Sequence, residues 1–268
     1  MTNDVASVDR MTLETVDSTN AQAFRQADQG VATPLWIVSR EQTGGRGRGA
    51  RGWVSPPGNL YASLLLALDA PLATALQLPF VAGLAAHRAL ARCLDEPKRS
   101  DLILKWPNDI LLGGAKIGGI LVESRQAPTS RGGLDVVIGF GLNVAHHPAG
   151  VSYPATHLAR HVSAAQSACD AGLVEKVWQL LAAEWARAAM IWDHGTGFNA
   201  IRQAWSDRSF PQGTRLSVYD GRDTVTGAFL GLDADGALLL NTPDSAHRIL
   251  YGDVMSPTRE AATTTDRD

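Results

Sequence analysis

Three short segments of this 268-residue chain carry side chains that could handle an anion. The first is Ser18-Thr19-Asn20. The second is EQTGGRGRGARGW, Glu41 to Trp53, with five glycines and three arginines in thirteen positions. The third is KWPNDILLGGAKIGGILVES, Lys105 to Ser124. Arg46, Arg48 and Arg51, with Arg40 just upstream, face only Glu41, so positive charge is focused there although the formal net charge of the chain is -3. Lys116 precedes the apolar run that starts at Ile117 and has glycines on both sides. An ammonium so placed can neutralise a carboxylate or phosphate oxygen while the ligand approaches the backbone. Taken singly, each segment has a plain reading: Ser18 to Asn20 as a helix cap, the Gly/Arg tract as a linker, Lys105 and Lys116 as solvated lysines beside strands. Their meaning depends on their coming together.

Other chemistries lack their signatures. There is no Gly-x-x-x-x-Gly-Lys-Ser/Thr phosphate loop, Gly139-Phe140-Gly141 does not extend into a dinucleotide fingerprint, and no Gly-x-Ser-x-Gly elbow occurs. His157 and His161 have i, i+4 spacing with His146 and His147 nearby, but no glutamate completes a His-Glu-x-x-His pattern, so no metal ligand is assigned.

The elements that must hold these segments follow from periodicity. Leu13 to Val16 predicts a strand, and Asp17 to Asn20 caps a helix over Ala21 to Asp28 that Gly30 ends. Leu35 to Ser39 predicts a strand running into the Gly/Arg tract, and Leu60 to Leu68 another. Leu72 to Leu94 has helical spacing throughout. Leu102 to Lys105, Asp109 to Leu112 and Ile117 to Glu123 predict strands, the last two joined as a hairpin through Gly113 and Gly114. Val136 to Val144 predicts a strand whose Gly139 and Gly141 suggest close approach of a ligand or backbone. Residues 145–168 read as irregular, and Leu173 to Trp192 as a second long helix. From Thr214 the texture becomes all-β: Leu216 to Tyr219, Thr224 to Leu232, Ala237 to Asn241 and His247 to Tyr251, with hairpin turns at Asp220-Gly221 and Asp235-Gly236. This predicts two domains, residues 1–211 and a small barrel over 212–256, then a disordered polar tail, 257–268.

Composition bounds the possibilities. With 45% hydrophobic and 19% charged residues the chain is globular, and a pI near 6.2 gives no general footprint for nucleic acid or membranes. Cys93 and Cys169 form no Cys-x-x-Cys pair and read as buried free thiols, and no apolar run reaches a membrane span. The expectation is a cytoplasmic protein.

The order of Ser-Thr-Asn, a Gln-x-x-Gly-Arg-Gly-Arg loop ending in Trp, Lys-Trp-Pro-Asn-Asp, Lys-Ile-Gly-Gly-Ile-Leu and Gly-Phe-Gly-Leu-Asn-Val resembles the biotin protein ligases over about residues 13 to 252. Any one block is weak, whereas five in order are highly specific. The resemblance implies an α+β (α/β sandwich) catalytic domain with a mixed sheet, related to class II aminoacyl-tRNA synthetases, and a C-terminal SH3-like β-barrel. It implies that biotin and ATP, with Mg2+, give biotinyl-5′-AMP and pyrophosphate, and that biotin then passes to a lysine of a biotin carboxyl carrier domain of a carboxylase. By matched position, Ser18, Thr19, Asn20 and Gln42 would bind the ureido edge of biotin. Gly45, Arg46, Gly47 and Arg48 would close over biotin and the adenylate phosphate as a lid disordered until ligand arrives. Trp53 would stack on adenine, and Lys116 would hold the biotin carboxylate and the α-phosphate. Gly139 and Gly141 would floor the pocket, and Asn108 and Asn143 would lie near the phosphates or adenine. Lys116 and Arg48 are the expected catalytic charges, and Asp109 a candidate proton acceptor for the transfer step.

The chain departs from the family at Gly49-Ala50-Arg51, where the glycine of the usual Gly-Arg-Gly-Arg-x-Gly-Arg loop is displaced by one, so the lid is expected to differ there. Only about a dozen residues precede Leu13, too few for the winged helix by which some relatives bind DNA, so no DNA partner is expected. Homodimers through the sheet occur in the family, as do monomers. Three rivals stand: a lipoate ligase or octanoyltransferase on the same fold, whose Arg-Arg-x-x-Gly-Gly-Gly loop is missing, an RGG-type nucleic-acid-binding protein, whose aromatic interleaving is missing, and a catalytically idle interaction module, which would make Lys116 and Arg48 incidental.

Overall fold

The computed structural model of the chain describes residues 8–128, 132–163 and 170–255. Seven strands form one sheet: β1 (Asp9–Val16), β2 (Leu35–Gln42), β3 (Leu60–Leu68), β4 (Leu102–Lys105), β5 (Asp109–Leu112), β6 (Ala115–Gln126) and β7 (Leu134–Leu142). Their order is β1-β2-β3-β7-β6-β5-β4, with only β1 and β2 parallel. That parallel pair is joined by helix α1 (Thr19–Asp28), as a parallel crossover requires.

The two faces of the sheet are covered differently. One packs on α3 (Leu78–Ala91), α4 (Asp170–Trp192) and α5 (Phe198–Ser206) in the main core, to which Ile138, Phe140 and Leu142 of β7 contribute. On the other face α1 covers only part, in a small cluster of Ala23, Ala27, Leu35, Ile37, Leu65 and Val137. Alternation along β7 puts Gly139 and Gly141 on this second face, Gly139 under Asn20 in the first turn of α1 and Gly141 under Trp53. The bare strip beside them is where the three chemical segments meet.

Several sequence expectations are corrected. The predicted helix Leu72 to Leu94 is two, α2 (Leu72–Ala75) and α3, because Pro79 lacks the N–H that would continue one helix and is accommodated in the first turn of the next. The strand expected over Val136 to Val144 is displaced to Leu134–Leu142, and β1 begins earlier than Leu13, where its exposed residues hide it. Helix α5 had no predicted counterpart.

The five-stranded C-terminal sheet contains β8 (Arg215–Tyr219), β9 (Thr224–Leu232), β10 (Leu238–Asn241), β11 (Ala246–Ile249) and β12 (Asp253–Met255), in the order β11-β10-β9-β8-β12. Strand β12 was not expected, and β11 is shorter than the predicted His247 to Tyr251. Both predicted hairpin glycines have positive φ, Gly221 at 99° and Gly236 at 88°. The barrel is fastened to the larger unit by Trp106 Nε1, which donates to the Gly236 carbonyl at 3.1 Å, and by Phe80, which leaves no room for a side chain at Gly236. Cys93 is buried, and burial pushes its thiol pKa up. Cys169 and the expected tail, 257–268, lie outside the described residues. Among the described residues no helix is long and apolar enough to cross a membrane.

Candidate active site

Strand register lines up the site. Lys105, Asp109, Gly119, Gly141 and Tyr61 form one row across β4, β5, β6, β7 and β3; Leu121, Gly139 and Ser63 form the next row on the same face. A bulge at Ile117 breaks the alternation of β6, sending Ile117 into the main core and turning Lys116 toward Gly119. Above these rows lies a cavity of about 100 Å³ lined by Ser18, Thr19, Asn20, Gln42, Arg46, Gly47, Arg48, Trp53, Asn108, Lys116, Gly139 and Gly141 among others.

One end of the cavity is polar without net charge. Ser18 is the N-cap of α1, its Oγ accepting from the Ala21 N–H. The same turn brings Thr19 to Gln42: the Thr19 N–H and Oγ1 both donate to Gln42 Oε1, at 2.8 and 3.0 Å, and Gln42 Nε2 donates to Ser55 Oγ at 3.0 Å. Ser63 Oγ lies 2.7 Å from Thr19 Oγ1 and 2.6 Å from Asn20 Oδ1. Ser18, Thr19, Asn20, Ser55 and Ser63 are buried and Gln42 is half-buried, and the groups orient one another, so their hydrogen-bonding directions are fixed before a ligand meets them. Sequence reasoning missed Ser63, whose signal was a single small polar residue in the apolar strand LYASLLLAL. It also missed Ser55.

The other end is cationic. Lys116 Nζ lies 2.6 Å from Asp109 Oδ1 and over the rings of Trp53 and Tyr153, at 5.4 and 5.5 Å. Lys105 is 3.9 Å from the same carboxylate; burial, the largest influence, pulls its ammonium pKa down, against the attraction of Asp109. Trp53 lies flat against Gly141, where a Cβ would come within 2.6 Å of the indole, and its buried Nε1 has no hydrogen-bond partner. A buried orphan donor in a cavity wall is a place for a ligand acceptor.

The Gly/Arg tract closes this space as a β-hairpin. Gly47 N–H donates to the Arg51 carbonyl at 2.7 Å, Trp53 N–H to the Gly45 carbonyl at 2.9 Å, and Arg46 bridges Gly52. Its tip is Gly49-Ala50, both at positive φ, 62° and 58°. The hairpin is clasped on both flanks: Arg46 pairs with Glu123 of β6 at 3.3 Å, while Arg48 donates to the Gly252 carbonyl at 3.1 Å and Arg51 to Asp253 at 3.1 Å, both in the barrel. The expected disordered lid is therefore a folded one in this structure, held by the chain's own carboxylates and carbonyls. Two further expectations change. Gly45 packs against the Trp53 carbonyl and Ser55 rather than lining the cavity. Asn143 lines a smaller neighbouring cavity, its Nδ2 donating to the Thr156 carbonyl at 3.0 Å. His157 and His161 do not converge: His157 meets His147 at 2.7 Å and His161 meets Thr156 at 2.7 Å.

Residues 12–143 match the family described as Biotin/lipoate A/B protein ligase family, and residues 216–255 match the Biotin protein ligase C terminal domain. A Biotin--[acetyl-CoA-carboxylase] ligase of Paracoccus denitrificans is 38% identical over 232 residues, covering 86% of this chain and 93% of the relative. The chain belongs to the biotin protein ligase family. A biotin protein ligase from Aquifex aeolicus, solved in complex with biotin and ATP, has the same fold with a TM-score of 0.73 at 26% identity, covering 92% of this chain and 97% of that one. Another, from Leishmania major in complex with biotinyl-5-AMP, matches with a TM-score of 0.58 at 25% identity, covering 90% and 98%. The mixed sheet with an appended C-terminal barrel is the arrangement of these biotin protein ligases.

Proposed function

We propose that the chain activates biotin with ATP to biotinyl-5′-AMP and transfers the biotinyl group to a lysine of a biotin carboxyl carrier domain. The observation that carries this reading is the polarity of the cavity: neutral, pre-oriented donors and acceptors at one end, Lys116 and Arg48 at the other. A ureido ring suits the first, and the carboxylate and α-phosphate suit the second.

In the first step a biotin carboxylate oxygen attacks the α-phosphorus, and the bond to pyrophosphate breaks. Both reactants are anionic, so the protein contributes fixed positive charge and alignment rather than a nucleophile. Lys116 is the central charge, aimed by Asp109. Arg48, with its guanidinium over Tyr251 and near Asn108, supplies the second from the lid. Trp53 would stack on adenine, and Gly139 and Gly141 would let ligand and covering side chains lie close to the sheet. Magnesium would enter with the nucleotide: the carboxylates nearest the site, Asp109 and Glu123, are paired with Lys116 and Arg46. In the second step the acceptor amine attacks the acyl carbon and AMP leaves. Asp109 is the candidate acceptor of the amine proton, and the closed hairpin keeps the mixed anhydride from water meanwhile.

The RGG reading loses its basis where Arg46, Arg48 and Arg51 all have partners within the chain. The lipoate reading is disfavoured because a dithiolane ring has no N–H or carbonyl to offer the polar wall made by Thr19, Asn20, Gln42 and Ser63. We further take residues 1–211 as the catalytic unit and 212–256 as the barrel, with the reaction in the cytoplasm. The test is incubation with biotin, magnesium, ATP and a carrier domain, followed by the mass of that domain. A biotinyl increment is expected. No increment, or one that appears with lipoate instead, overturns the reading.

A further inference from the structure

We infer that Glu123 is a positioning residue that sets the ligand preference of the polar end of the cavity by fixing which way the Asn20 amide faces. This rests on the biotin reading above and extends it to a residue that does not line the cavity. Asn20 is 4% exposed. Its Nδ2 donates to Glu123 Oε2 at 2.7 Å and, more weakly, to the Leu121 carbonyl at 3.4 Å. Both are acceptors only, so the amide nitrogen must face them and Oδ1 must face the opposite way. There Oδ1 lies over Gly139, so close that a Cβ at that position would overlap it, and beside Ser63 Oγ. Ser63 has a single proton, so it can fill at most one of the two acceptor sites of Oδ1. The cavity therefore presents an acceptor at Asn20, a match for a ring N–H and a mismatch for a ring oxygen.

The contrast with Gln42 makes the assignment specific. Gln42 is held by the Thr19 N–H and by two hydroxyls, all uncharged groups. Asn20 alone among these amides is fixed by a carboxylate, and a charge-assisted hydrogen bond is the stronger constraint. Glu123 also pairs with Arg46, so one side chain ties the lid and the ureido-facing amide together.

The test uses the whole chain and two ligands measured by calorimetry: biotin, and its isosteric cyclic carbonate in which both ureido N–H groups are oxygen. Glu123→Gln can offer either a donor or an acceptor to Asn20, which frees the amide to turn. The expected result is a fall of about tenfold or more in the preference for biotin over the carbonate. Arg46→Ala removes a lid contact but leaves the Glu123 carboxylate as the acceptor for Asn20 Nδ2, so it should weaken both ligands and keep the ratio. In an Asn20→Ser background, Glu123→Gln should leave the ratio where Asn20→Ser puts it, as two changes acting through one group are not additive. Equal weakening of both ligands in Glu123→Gln, an unchanged ratio, or a fall that persists in the Asn20→Ser background overturns the inference. A wild-type chain that binds no biotin overturns the biotin reading instead, before any variant is measured.

Discussion

Gly139 and Gly141 have neighbours on the same face of β7 that do different work, one an amide and the other an indole. At Gly139 the missing side chain makes room for Asn20 Oδ1, so Gly139→Ala should displace the amide and raise the KM for biotin about tenfold or more with little change in the KM for ATP. Pyrophosphate exchange measured against each substrate checks this, and parallel rises in both constants would place the damage elsewhere. Arg48→Gly removes the hydrogen bonds to Gly252 and the contact with Tyr251, and should release adenylate that then labels lysines without selectivity. Retention of both the adenylate and acceptor selectivity would refute the lid role. Much at this scale was legible because charge and glycine stand out: Lys116, Arg48 and the paired glycines were singled out before any geometry was known. Ser63, Ser55 and Glu123 were not, since each takes its meaning from a partner 13 to 103 residues away in the chain, which only the fold brings alongside.

The decisive element is the hairpin over Glu41 to Trp53. A two-residue tip with both residues at positive φ suits the right-handed twist of the flanking strands, and glycine is the usual choice there. Here Gly49 takes the first tip position and Ala50 the second, which accounts structurally for the displaced glycine in the sequence. Adding a second Cβ in the left-handed region costs about 1 kcal/mol or more. Gly49→Ala should therefore open the lid more often, seen as faster loss of adenylate to solvent with an unchanged melting temperature; an unaltered leak rate would count against the hairpin geometry. Strands β3, β4 and β5 were readable to the residue because their apolar runs end at Pro, Gly or charge. The α2/α3 break was misread because periodicity continues across Pro79, and β12 because three residues, two of them exposed, carry no period.

At the scale of the whole molecule, His87 of α3 reports on the main core. Burial pulls its pKa down to about 4, so the folded chain keeps it neutral while the unfolded chain takes up a proton below the ordinary value of 6.5. The stability this contributes is complete above pH 6.5 and is lost as pH falls toward 4, by a few kcal/mol at most. Thermal unfolding should show a lower Tm at pH 5 than at pH 7, and His87→Gln should flatten that difference; an equal slope in both proteins would exonerate the histidine. The pH range belongs to the helix-covered side of the sheet, and the other side obeys a different logic. There α1 stops short and the remaining strip is roofed by a hairpin clasped through exposed or half-exposed charges, so a bound biotinyl-adenylate acts as the layer that the chain itself leaves unfinished. Amide hydrogen exchange should show this directly: ligand should slow exchange in β6, β7 and the hairpin while α4 stays as it was, making substrate, in effect, a removable part of the fold.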